Sequence, residues 1–100
     1  MHDCQLFTLT APPSLEEPLV DWLLQFAPEH GFTSFPAFGH SSRHQGLSLA
    51  EQVSGRKKQV RFELRLPSAE LASLVERLQQ DFAGTGLHYW ITPVLGHGRV

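Results

Sequence analysis

Two histidines four residues apart, His40 and His44, sit in the stretch GHSSRHQG, with Arg43 between them and a glycine at each end. On a helix, positions i and i+4 share a face; in a loop, the same spacing lets two imidazoles close on one ion. Zinc or copper wants a third or fourth ligand, and the stretch holds no cysteine or carboxylate. The missing donors would come from His30, Glu51, His97 or a neighbouring subunit. A transition-metal site on His40, His44 and His97 fits the pattern, and so does a solvated polar loop.

The second cluster is cationic. Arg56, Lys57 and Lys58 follow Gly55, with Arg43 and Arg99 as candidate spatial neighbours. Cations beside a glycine can hold phosphate oxygens, lysine as a point charge and arginine as a bidentate fork. The same residues also suit a solvated strand start or salt bridges between subunits. Further along, Arg61, Glu63 and Arg65 are expected to find charge partners across neighbouring strands. Cys4, close to His2 and Asp3, is a candidate metal-binding thiol or a buried free cysteine. Nucleophilic catalysis needs a base held by an orienting group, and no residue pattern here arranges one. The chain is not expected to be an enzyme.

The elements that must position these groups are bounded by size and charge. One hundred residues, 41% hydrophobic and 18% charged, make one folded domain spanning 1–100. A net charge of −2 offers no basic field, so nucleic acid is not an expected partner. A single cysteine excludes an intrachain disulfide and fits a reducing compartment. No basic leader precedes an apolar run, and no stretch approaches the roughly 20 apolar residues of a membrane span. A cytoplasmic protein without membrane insertion is the expectation.

Along the chain, CQLFTLT reads as a strand with Phe7 and Leu9 on one face and Cys4 and Leu6 on the other. SLEEPLVDWLLQF reads as a helix, with Leu15, Leu19, Leu23 and Phe26 on one face. Ser14 and Glu17 have capping-box spacing, although Pro18 argues for a start nearer itself. GFTSFPAFGH suggests an irregular edge strand because of Pro36. A long loop over 39–57 follows, of a length that is commonly functional or disordered. QVRFELRL alternates Val60, Phe62, Leu64 and Leu66 with polar residues, the period of a strand with one buried face. PSAELASLVERLQQDF is a second helix with Ser68 as N-cap. LHYWIT is a last strand, with Tyr89 and Ile91 opposite Trp90, and PVLGHGRV is a tail with room for one more short strand.

The order β-α-β-β-α-β implies a ferredoxin-like α+β sandwich, with two helices on one face of a four-stranded antiparallel sheet and a short C-terminal extension. The first and third strands take the centre. The face away from the helices then carries Leu6 and Trp90, and exposed apolar surface of that kind marks an interface. An oligomer is expected.

The phrases FTSFPAFGH, LSLAEQVSGRKKQVRFEL and YWITPVLGHGR resemble an uncharacterised branch of the PII-like proteins, over nearly the whole chain. The resemblance implies a homotrimer with sheets facing inward and a sensing role. It also implies a gene setting beside heavy-metal RND efflux pumps, and hence a link to metal resistance. In PII proteins the loop after the second strand reaches partner proteins, here 39–57, with a membrane efflux system as the implied partner. Nucleotide sits in the clefts between subunits, which makes an adenine nucleotide, beside a transition metal, a candidate ligand for Arg56, Lys57, Lys58 and Arg99. The sequence departs from the PII pattern between the second helix and the last strand. Where PII proteins carry a lysine in a glycine-rich phosphate loop, AGTGLH has none.

Overall fold

The computed structural model describes residues 4–40 and 56–100. The elements run β1 (Cys4–Ala11), a 3-10 turn (Pro13–Leu15), α1 (Glu16–Phe26), β2 (Thr33–His40), β3 (Arg56–Pro67), α2 (Ser68–Asp81) and β4 (His88–Pro93). The strands form one antiparallel sheet in the order β2-β3-β1-β4. This is the ferredoxin-like sandwich, with β1 and β3 central.

The helices bury their apolar stripes on one face of the sheet. Leu19 and Leu23 of α1 and Leu71, Leu74 and Leu78 of α2 close over Phe7, Leu9, Val60, Phe62, Leu64 and Leu66. The period-2 alternation of β3 is thus converted into one dry face, at about 25 cal/mol for each Å² of apolar surface removed from water. Around its rim, Trp22 stacks on Phe26 at 5.1 Å and meets the edge of Phe82 at 6.0 Å. The Trp22 indole N–H also donates to Asp81 at 2.7 Å, tying α1 to the end of α2.

Several local expectations change. The capping box does not form: Leu15 is the N-cap of α1 and no side chain caps it, because Pro13–Leu15 is occupied by the 3-10 turn. Ser68 is the first residue of α2, with Pro67 at the N-cap. Pro36 does not disrupt β2, which pairs with β3 along its whole length from Thr33 to His40. An edge strand has a free side on which the missing N–H costs nothing. The C-terminal tail adds no strand; after Pro93, among the described residues, one backbone bond ties it, Val94 N–H to the Cys4 carbonyl at 3.3 Å.

Between α2 and β4 the chain reverses through Gly84 and Gly86, with φ of +74° and +78°. A side chain at these angles meets the following carbonyl, so Gly84→Ala is expected to lower stability by about 1 kcal/mol. Urea unfolding should show this as a lower midpoint with an unchanged slope.

Candidate functional site

The sheet does not end where its core ends. β1 stops at Ala11, opposite Val60, but β3 extends back to Arg56, paired among the described residues only with Ala37–His40 of β2. Four residue pairs therefore project as a two-stranded arm, roughly 13 Å long at the usual strand rise. An isolated ribbon of this kind is marginal in water. Here the Arg56 guanidinium lies over the Phe38 ring at 4.5 Å and clips the two strands together. Gly39 lets the Gln59 side chain lie against the partner strand, since a Cβ there would sit 2.7 Å from its amide nitrogen.

Strand alternation divides the cationic cluster. Arg56 and Lys58 share one face of the arm with Phe38 and His40, while Lys57 lies on the other with Gly39 and Gln59. His40 is the register partner of Arg56. A neighbouring cation weakens a metal site and favours an anion. His44 lies outside the described residues, as does most of the 39–57 loop. Of that loop, Gly39, His40, Arg56 and Lys57 belong to the arm.

The tail stands at the opposite end. β4 is the far edge of the sheet from β2, and the tail leaves it beside Cys4. β3 spans about 36 Å from Arg56 to Pro67, whereas three residues beyond Val94 reach at most about 11 Å. Within one chain, His97 therefore does not meet His40, and Arg99, five residues beyond Val94 and so within about 18 Å of it, does not join Arg56. A set that includes His97 with His40, or Arg99 with Arg56, can be completed only across subunits. No group of three metal-ligating side chains occurs among the described residues. Cys4 is half-buried at the start of β1, and His2 and Asp3 lie outside the described residues.

The second feature is the sheet face that the helices leave open. Leu6 and Trp90 both lie on it, as expected, with Leu6 half-buried and Trp90 44% exposed. Beside them Thr8 and Thr10 are buried at 3% and 8% exposure although no helix among the described residues covers this face. Longer side chains do so: Thr8 lies between Glu63 and Trp90, and Thr10 between Arg61 and His88. The Arg61 guanidinium is held over the Trp90 ring at 5.1 Å. Two buried polar atoms on this face, Thr10 Oγ1 and Arg61 Nε, have no hydrogen-bond partner among the described residues.

Among the described residues, the expected cross-strand ion pairs of Arg61, Glu63 and Arg65 are not formed. Their register neighbours are Thr10 and Phe35, Thr8 and Thr33, and Leu6. Among the described residues the ion pairs are His30–Glu70 at 3.2 Å and Arg77–Asp81 at 3.8 Å, both elsewhere. Sequence patterning assigns the charged parity of β3 to cross-strand pairing and so misses what Arg61 and Thr10 do. The signal that could find them is their alternation with the core residues of two central strands.

A third feature is a shallow cleft of about 210 Å³ beside the glycine turn, lined in part by Phe82, Gly84, Gly86, Leu87 and Tyr89. The register of β4 on β1 places this turn at the same end of the sheet as the arm, but at the opposite edge.

Comparison with known proteins agrees with this geometry. The family model DUF3240, described as a protein of unknown function, matches residues 1–100. The chain belongs to the DUF3240 family. A DUF3240 family protein from Shewanella baltica OS155 superposes with a TM-score of 0.79 at 25% identity, covering 100% of this chain and 99% of that one. A putative PII-like signaling protein from Thermus thermophilus gives a TM-score of 0.65 at 23% identity, over 91% and 86% of the two chains. CPII, a nitrogen regulatory PII-like protein from Thiomonas intermedia K12 bound to ADP, AMP and bicarbonate, gives 0.69 at 14% identity, over 96% of each. No curated protein matches the chain. The DUF3240 fold is thus that of the PII-like proteins, and no helix among the described residues is long and apolar enough to cross a membrane.

Proposed function

We propose that this DUF3240 protein is a non-enzymatic, PII-like regulatory subunit that assembles as a cyclic homotrimer and signals through the 39–57 loop. The observation that carries this is the placement of the arm and the glycine turn, at one end of the sheet but on opposite edges. A head-to-tail ring brings the β4 edge of one copy to the β2 edge of the next and joins the two into one cleft. An effector bound there shifts the loop by its differential affinity for the loop's states. The shared fold with a nucleotide-bound PII-like protein supports an adenine nucleotide as effector. Arg56 and Lys58 would be its anion contacts, and Lys57 on the other face would serve the partner or the assembly. The sequence resemblance supports a heavy-metal efflux system as the protein partner of the loop, on the cytoplasmic side.

A second reading, a transition-metal buffer or carrier, draws on His40, which ends β2 and leads into the segment containing His44. One screen separates the two. Sedimentation should give a trimer, and thermal shift should show stabilisation by ADP, AMP or ATP. A nucleotide at 100 times its Kd should add about 2.7 kcal/mol of apparent stability. If Zn(II) or Cu(I) stabilises instead, and His44→Ala removes that response, the metal reading replaces this one. A monomer blind to every ligand overturns both.

A further inference from the structure

Three charged side chains in a row on the uncovered face of a sheet need an explanation. Arg61, Glu63 and Arg65 alternate along β3, a central strand, with neutral residues on both flanks. Glu63 is half-buried and makes no ion pair among the described residues. Arg61 is held in place by the Trp90 ring, and its Nε is buried without a partner among the described residues. Trp90, Leu6 and Phe35 put three apolar side chains beside the row, among Thr8, Thr10, Thr33 and His88.

Burying those three apolar side chains favours covering the face, but a cover that left a carboxylate and a guanidinium unpaired would be strongly disfavoured. The covering surface must therefore offer a cation to Glu63 and an acceptor to Arg61. A second copy of this chain offers both, because the two groups lie two residues apart on the same side of the same strand. We propose that the open face is an interface between copies in which Glu63 of one copy pairs with Arg61 of the next. Arg61, rather than Arg65, is the partner because its fork is already oriented by Trp90 near the middle of the face. Arg65 is exposed and sits near the Pro67 end of the strand. Around a closed ring each copy gives one carboxylate and receives one, so no charge is left over. The proposal rests on the self-assembly put forward above and adds its contact chemistry.

Sedimentation equilibrium at about 0.15 M salt tests it, with circular dichroism to confirm folding. Glu63→Arg is expected to weaken association at least about 30-fold, as for a broken buried charge pair. The exchange variant Arg61→Glu/Glu63→Arg, which restores opposite charges, is expected to regain association to within about tenfold of wild type. Should Glu63→Arg fail to fold, the near-isosteric Glu63→Gln takes its place and is expected to weaken association about tenfold. A wild-type chain that is monomeric at high concentration removes the assembly itself. A wild-type oligomer indifferent to Glu63, or one that the exchange variant fails to restore, leaves the assembly standing and overturns the Glu63–Arg61 pairing.

Discussion

Phe62→Ala is expected to destabilise the domain by about 3–5 kcal/mol, the range for truncating a fully buried aromatic side chain. Phe62 is 0% exposed on β3, between Leu9 of β1 and Ser34 of β2, with the Phe32 ring 6.2 Å away. Its neighbours are held by two central strands and two helices, so the space cannot collapse, and the cavity term adds to the lost transfer energy. Domains of this kind have a total stability of about 5–15 kcal/mol, so the variant approaches the folding threshold. Thermal unfolding should report a fall in Tm of at least about 12 °C. A fall below about 4 °C would mean that the core is not centred on this residue.

Trp90→Ala is expected to do the opposite: leave the isolated fold nearly unchanged and weaken self-association at least about 30-fold, as for an aromatic anchor at an interface. Trp90 is 44% exposed on an edge strand, so truncation leaves no sealed cavity. It does remove the platform under Arg61 and uncovers Thr8, its register partner on β1. Sedimentation across a concentration series, beside urea unfolding of the dissociated chain, separates the two effects. If stability falls by more than about 2 kcal/mol while association is unchanged, the residue belongs to the core rather than to an interface.

These two variants mark how far the sequence could be read. Phe62 sits in QVRFELRL, where strict alternation names the strand, its buried face and the residues on it without any tertiary information. The leucine stripe of α2 is equally legible. The capping box at Ser14 is not, because spacing reports what two side chains can do, not whether the backbone between them is helical. Prolines at positions 12, 13 and 18 bend that choice toward a 3-10 turn. The arm is hidden for a related reason. Its strands carry no core period, since among the described residues no third strand pairs with Ala37–His40 or Arg56–Gln59.

By itself, then, the sequence determined the element order, the two central strands and the composition of the dry face, since burial imposes a period on residue types. It also named His40, Arg56, Lys57, Lys58, His97 and Arg99 as chemically capable groups. Only the tertiary structure decided which of these share a location. It set the arm and the tail at opposite ends of a strand about 36 Å long, so neither candidate set closes within one chain. It also placed Arg61 and Glu63, without ion-pair partners among the described residues, on the face that the helices leave open. Register between strands distant in sequence fixes such juxtapositions, and register is a property of the assembled sheet that no local pattern encodes.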